Sequence, residues 1–399
     1  MRSNVLSIAL ALLLTTVASA ANDGEVDLSG FAAVELRWFT DDPAFTDQSK
    51  GGQTSLVLSP EWAWEGENRR HQVRFAPFLR VDGRDDERTH FDLREGYWRY
   101  VWSDWELTAG VNTVFWGVTE SRHLVNVINQ VDGVEDIDEE DRLGQPMLQL
   151  AVQQPWGRLE GFALLGFRER TFPGGDGRLR TPLVVDTDSA QYESGAEDRR
   201  IDLALRWSHF IGDWDLGASV FHGTGREPRL LPDATGGRLI PFYDVIDQYG
   251  VDVQYTREAW LWKLEGSARQ GPGKTFGAAV GGFEYTFYQV GNSAADVGLL
   301  TEYLWDDRDG AAPLTSLDDD IFVGSRLALN DTQDTQALLG AIVDRDDGST
   351  AALVEAERRL GDRYRIEIEA RLFFNVDDAN PLAAFEQDSF LTLRLSRYF

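Results

Sequence analysis

The chain predicts an all-β fold: a closed, antiparallel transmembrane β-barrel of about eighteen strands, with sixteen as the alternative count. Three observations predict it. Apolar and polar residues alternate over segment after segment, the period-2 pattern of strands with one apolar face. The connections between these segments are tight and long by turns. Aromatic residues gather beside the tight turns, where a membrane interface suits them.

Composition bounds the reading. The 399 residues carry a formal charge of −29, thirteen Trp, eleven Tyr, twenty-two Phe and no cysteine. A disordered acidic chain lacks such an aromatic load, and no disulfide can supply stability. A chain this acidic does not favour nucleic-acid phosphates. It suits a cell surface where divalent cations bridge carboxylates and lipid phosphates. No later segment is apolar and long enough for a transmembrane helix.

Residues 1–20 read as a secretory signal: Arg2 supplies the positive charge, Val5 to Val17 the apolar stretch, and Ala18-Ser19-Ala20 the small-residue cleavage site. Residues 21–399 then form the barrel. The first strand follows the cleavage site almost at once, which leaves no room for a plug domain before it. The strands are expected at 25–39, 52–65, 70–83, 88–102, 104–116, 145–155, 158–169, 199–211, 213–225, 242–256, 259–270, 275–289, 294–306, 319–330, 334–345, 349–360, 363–376 and 386–399. Alternation is clear in 363–376, where Tyr364, Ile366, Ile368, Ala370 and Leu372 interleave with Arg365, Glu367, Glu369 and Arg371. Its phase is poor in 88–102, which points to a bulge. Tight turns fall at Glu67–Arg69, Ser103-Asp104, Trp156–Arg158, Gly212-Asp213 and Gly361-Asp362. Long acidic connections fall at 40–51, 117–144, 170–198, 226–241, 307–318 and 377–385.

The last segment places Leu391, Leu393, Leu395 and Phe399 on one face, and Thr392, Arg394, Ser396 and Tyr398 on the other. A strand ending on an aromatic residue resembles the terminal strand of Gram-negative outer-membrane β-barrels. The resemblance implies export to the outer membrane and recognition of Phe399 by the barrel-assembly machinery. Arg397 departs from it, since those barrels more often carry an apolar residue there. The last strand is expected to pair with 25–39 and close the barrel.

A barrel of eighteen strands is too wide for opposite side chains to fill, so an aqueous channel is the default. Its inner wall is read as Arg74, Arg80, Arg206, Lys263, Arg269, Arg326, Arg365 and Arg371 against Glu106, Glu265, Glu355, Glu357, Glu367 and Glu369. Such charges set the field in a pore; equally, they can be ion pairs that only brace the wall.

The connection 117–144 is unlike an ordinary loop. Leu124, Val125, Val127, Ile128 and Val131 make an apolar set, expected as a short helix face, that needs burial and so turns inward. A long inward loop after the fifth strand resembles the constriction loop of general porins. Trp116-Gly117 followed by Asn126, Asn129 and Asp132 also resembles a segment of uncharacterised proteobacterial outer-membrane barrels; that likeness covers only this segment and implies location, not substrate. The expected solute contacts are Arg122, His123, Asn126, Asn129 and Asp132 of the loop, with Arg74, Arg80, Arg206, Glu106, Glu367 and Arg371 of the wall. Two other readings stand beside this one. Asp132, Glu135, Asp136, Asp138, Glu139 and Asp141 could hold Ca²⁺, a cation that favours clustered hard oxygens, although their spacing departs from the EF-hand loop. Alternatively the segment is a bare plug.

Catalysis has no motif behind it: His71, His90, His123, His209 and His222 stand in no nucleophile, zinc or phosphate-loop pattern. The chain therefore reads as a passive channel for small hydrophilic solutes, not an enzyme and without an organic cofactor. A transporter of hydrophobic compounds and a structural or adhesion barrel with an occluded lumen are the alternatives. A homotrimer is left open.

Overall fold

A computed structural model describes residues 24–399; the signal segment expected at 1–20 lies outside the described residues. The barrel strands are β1 (Gly24–Phe39), β2 (Gln53–Gly66), β3 (His71–Asp82), β4 (His90–Trp102), β5 (Trp105–Asn112), β6 (Gln145–Gln154), β7 (Gly157–Leu165), β8 (Ile201–Ile211) and β9 (Trp214–Thr224). They continue as β10 (Val245–Arg257), β11 (Trp260–Gln270), β12 (Phe276–Phe287), β13 (Asp296–Asp306), β14 (Asp319–Ala328), β15 (Gln336–Asp344), β16 (Thr350–Leu360), β17 (Tyr364–Phe374) and β18 (Phe390–Tyr398). All eighteen form one antiparallel sheet. It closes through β1 and β18, paired from Phe31↔Tyr398 to Phe39↔Phe390.

Every expected strand is present, and the ends differ for local reasons. β5 stops at Asn112 because the Val114 N–H is taken by Asn129 and Trp116 turns into the lumen. β18 starts at Phe390 because Pro381–Phe385 forms a short 3-10 turn capped by Asn380. The irregular phase of 88–102 is a bulge. Ala76 lies opposite Glu95 and Pro77 opposite Leu93, so Arg94 is the extra residue. Pro77 has no N–H to donate. On its other side the β2–β3 ladder pauses between Leu58↔Leu79 and Trp62↔Phe75. The bulge aims Arg94 into the lumen, where it meets Asp132 at 2.6 Å.

The outer face carries the apolar residues of the alternation: Leu203, Leu205, Val251, Leu264, Val323 and Leu339 are all exposed. An apolar belt of this extent belongs in lipid, not water. Beside the tight turns the rings of Trp98, Tyr100, Trp102 and Trp105 stack in sequence, with centroids 6.0, 5.3 and 6.3 Å apart. Trp260 and Trp262 stack likewise at 5.7 Å. These are the girdle expected from the sequence.

The seam uses the last residue. Phe399 N–H donates to Gly30 O at 3.1 Å. Gly30 has φ +140, and a Cβ there would lie 2.4 Å from Ser59 O and 3.2 Å from the Phe399 ring. Only glycine accepts both the backbone angle and the contact. At the loop end, Arg229–Pro232, Leu239–Tyr243 and Gln191–Tyr192 form a small separate sheet.

Candidate functional site

Residues 113–144, between β5 and β6, fold into the barrel without a helix. The apolar residues singled out by the sequence are all buried there. Trp116, Val125, Val127 and Ile128 pack on Met147, Phe162, Leu164, Phe221 and Ile246 of the wall. Leu124 joins Val280, Leu300, Leu304, Phe322 and Leu338 across the lumen. The inner wall is therefore apolar over much of β6–β10 and β12–β15, where plain alternation with a polar lumen was expected. The loop residues complete both apolar clusters, four of them on the β6–β10 side and Leu124 on the β12–β15 side, which removes apolar surface from water.

A loop without regular structure must find acceptors for its own N–H groups. Wall carboxylates supply them. Glu265 on β11 accepts from Val118 N (2.7 Å), Thr119 N (3.1 Å), Thr119 Oγ1 (2.7 Å) and Val125 N (3.2 Å). Glu302 on β13 accepts from Glu120 N and Ser121 N, both at 2.8 Å. These bonds replace those of the helix expected from the apolar spacing. Going the other way, Gln248 donates to Leu124 O at 3.0 Å, and Arg226 donates to Ile128 O at 2.9 and 3.1 Å.

The acidic arm of the loop faces a wall of arginines. Asp132 takes Arg94 (2.6 Å), His90 (3.1 Å) and Thr171 (2.6 Å). Glu135 takes Arg80 at 2.8 and 2.5 Å. Asp136 lies 3.5 Å from Arg37, Asp138 2.6 Å from Arg371, and Glu139 2.7 Å from Arg170. Behind them Glu35, fully buried, binds Arg80 (2.9 Å), Arg88 (2.8 Å) and Arg394 (2.6 Å). A Ca²⁺ ion in this arm would therefore compete with guanidinium groups for most of its ligands. Burial acts against the Asp132 charge, yet the His90 bond and the Arg94 charge hold its carboxyl well below the usual range. Burial, reinforced by the neighbouring Asp136 charge, pushes Asp138 up to about 8. Burial and the Glu135 charge push Asp141 up to about 6.

The expected solute contacts separate into three groups. Arg122, His123, Asn126 and Arg371 line one cavity of about 480 Å³ on the loop side of the lumen. Arg122 is held there by Asp306 (3.2 Å) and Leu317 O (2.9 Å), and His123 packs edge-on against Phe115 with centroids 4.8 Å apart. Asn129, Asp132 and Arg80 are fully buried away from it. Asn129 accepts from Val114 N and donates to Asn112 O and Leu143 O, so it staples the two ends of the loop. The remaining four brace the wall. Arg206 grips Asp252 at 2.7 and 2.9 Å beneath the Trp116 ring. Arg74 pairs with Glu61 (2.7 Å), Glu106 with Arg158 (2.8 Å), and Glu367 accepts from Ser396 Oγ (3.1 Å). Sequence reading missed Glu302, Arg37, Arg88 and Arg94; inward charge on a strand was the only available signal.

One sector of the wall meets the loop without a direct polar bond: Leu124 shares an apolar cluster with Leu338 of β15, and Arg371 of β17 bridges Asp138 of the loop (2.6 Å) and Glu355 of β16 (2.7 Å). Among the described residues, no hydrogen bond or ion pair joins 113–144 to β15 or β16. There the cavity is bounded by Leu338, Ile342, Ala351, Leu353 and Glu355. The Glu355 side chain is 45% exposed and the facing Glu140 is exposed, although both stand inside the ring of strands, while the Asp138 side chain is half-buried against Arg371. Water therefore reaches charged groups in this gap.

No protein-family model matches the chain, and no curated protein matches it in sequence. Solved structures share its architecture. By fold, the chain is a closed antiparallel β-barrel of eighteen strands. It is similar to OccK8 (OprE) of Pseudomonas aeruginosa at 10% identity and a TM-score of 0.54, over 94% of this chain and 98% of that one. OccK11 (OpdR) of the same organism gives 10% and 0.53, over 94% and 95%. A BenF-like porin from Pseudomonas fluorescens Pf-5 gives 9% and 0.50, over 94% and 98%.

Proposed function

We propose that the protein is a passive outer-membrane channel for small hydrophilic solutes, with its passage between the inward loop and the β15–β16 wall. The observation that carries this reading is the sector without a direct polar bond between loop and wall, where Glu355 and Glu140 meet water inside the barrel. Carboxylates at a narrow point favour cations over anions. Assembly through the strand ending at Phe399, in a membrane of lipid and lipopolysaccharide, belongs to the same proposal.

The pH dependence has a defined sign. A carboxyl with a raised pKa is neutral below it, so Asp138, pushed up to about 8, loses charge as pH falls. Reversal potentials in planar bilayers under a salt gradient are expected to show cation preference at pH 8.5 that declines toward pH 5. A preference that stays constant over that interval would remove Asp138 from the path.

A second reading has one observation in its favour. Leu317, Leu338, Ile342, Leu353, Phe373 and Phe385 make one side of the same cavity apolar. Hydrophobic compounds could rest there, but the ladder is closed all round among the described residues and offers them no lateral exit. On that reading, apolar compounds should block ion current at low concentration. A sealed structural barrel would carry no current at all.

A further inference from the structure

Apart from one facing pair, the buried aspartates in this barrel are matched by arginines or, at Asp85, by backbone N–H groups. Every other buried aspartate among the described residues lies within ion-pair distance of an arginine, save Asp85, which accepts backbone N–H bonds from Glu87 and Gly174. Asp320 and Asp344 are what remains. Asp320 is 1% exposed, and its Oδ2 has no hydrogen-bond partner. Asp344 stands directly opposite it in the β14–β15 register.

Directly opposed residues on one face have Cβ atoms about 5 Å apart, and like charges so placed repel. Among the described residues no cation lies within ion-pair distance of either carboxylate. The guanidinium of Arg122 is committed to Asp306 and Leu317 O. Asp344 accepts from Asp346 N (2.7 Å), Asp347 N (3.1 Å) and Asn380 Nδ2 (3.2 Å), which orient it without neutralising it. Asp318, exposed at the rim, stands close enough for its charge to bear on Asp320.

We propose that the facing carboxylates of Asp320 and Asp344 bind one Ca²⁺ ion. The donor set is hard oxygen, and the cavity that Asp320 lines leaves room for water ligands. Ca²⁺ accepts such irregular coordination, whereas Mg²⁺ demands a near-ideal octahedron. The unsatisfied Oδ2 of Asp320 becomes a ligand, and the repulsion across the strand pair becomes shared attraction to the ion. The ion would join the ends of β14 and β15, and through Asn380 also the connection 375–389, at the mouth of the β15–β16 sector.

The test uses the full-length protein in detergent after treatment with EDTA. Calorimetric titration with CaCl₂ is expected to show one Ca²⁺ per chain and, separately, a higher unfolding midpoint in CaCl₂ than in EDTA. Asp320→Asn is expected to weaken Ca²⁺ binding by about tenfold or more. In EDTA the same variant should melt at or above the parent, because it removes a repulsion rather than a support. That combination separates loss of a ligand from loss of the fold. No binding by the parent would overturn the proposal, as would undiminished binding by Asp320→Asn. So would loss of binding in an Asp138→Asn variant with Asp320 intact, which would place the ion in the acidic arm of the inward loop.

Discussion

Deleting residues 120–140 and rejoining the ends through a short Gly-Ser linker is expected to raise single-channel conductance several-fold. The segment contains Leu124, Val125, Val127 and Ile128, which fill the lumen against two sides of the wall. It also contains Glu135 and Asp138, whose pairs with Arg80 and Arg371 span to β3 and β17. With it gone, the bore keeps only connections such as 170–180, whose Arg178 and Arg180 reach Asp388 and Asp47, and barrels of this size then hold a wider aqueous channel. The same deletion uncovers Val280, Leu304 and Phe322, now fully buried. Each exposed side chain of that kind costs about 1.5–3 kcal/mol, so the deleted barrel should also melt at a lower temperature. Unchanged conductance would place the loop outside the conduction path.

Arg80→Ala is expected to destabilise the native state by about 3–5 kcal/mol, the usual cost of breaking a buried ion pair from one side. Arg80 is fully buried and donates to Glu35 and to both oxygens of Glu135. Its removal leaves Glu135 without its arginine and weakens the hold of the acidic arm on β3. Glu35 keeps Arg88 and Arg394, so the loss falls mainly on the loop side. Thermal unfolding followed by circular dichroism should show the lower midpoint, and bilayer recordings should show more frequent current fluctuations. The double variant Arg80→Met with Glu135→Gln should recover part of the loss, because it removes both charges together. A single variant that melts like the parent would mean the cluster does not hold the loop.

The strands were legible because period-2 alternation and turn residues are local signals. Residues 363–376 and 386–399 show this best, and even the disturbed phase of 88–102 marked a real bulge at Arg94. The inward course of 117–144 was also legible, since an apolar run in an acidic chain has to be buried. What the sequence did not show is which wall residues receive the loop. Alternation tells the face of a side chain but not which loop residue will stand before it, so Glu302 and Arg37 carried no special mark. Asn126, Asn129 and Asp132 look alike in spacing, yet only Asn126 borders the cavity. Asn129 is consumed by three backbone groups and Asp132 by Arg94, His90 and Thr171. The apolar inner wall escaped for the same reason: Leu300, Leu304 and Phe322 face inward because the loop covers them, and their cover lies far away in the chain.

The central claim is that solute passes between the inward loop and the β15–β16 wall. The chain has no cysteine, so Leu353→Cys gives a single thiol at the cavity, and Leu339→Cys gives one on the lipid face. Purified protein in planar bilayers is expected to show step-like currents, and a charged methanethiosulfonate reagent should reduce them in Leu353→Cys while leaving Leu339→Cys unchanged. Absence of any step current in the unmodified protein, or equal response of the two variants, would contradict the account.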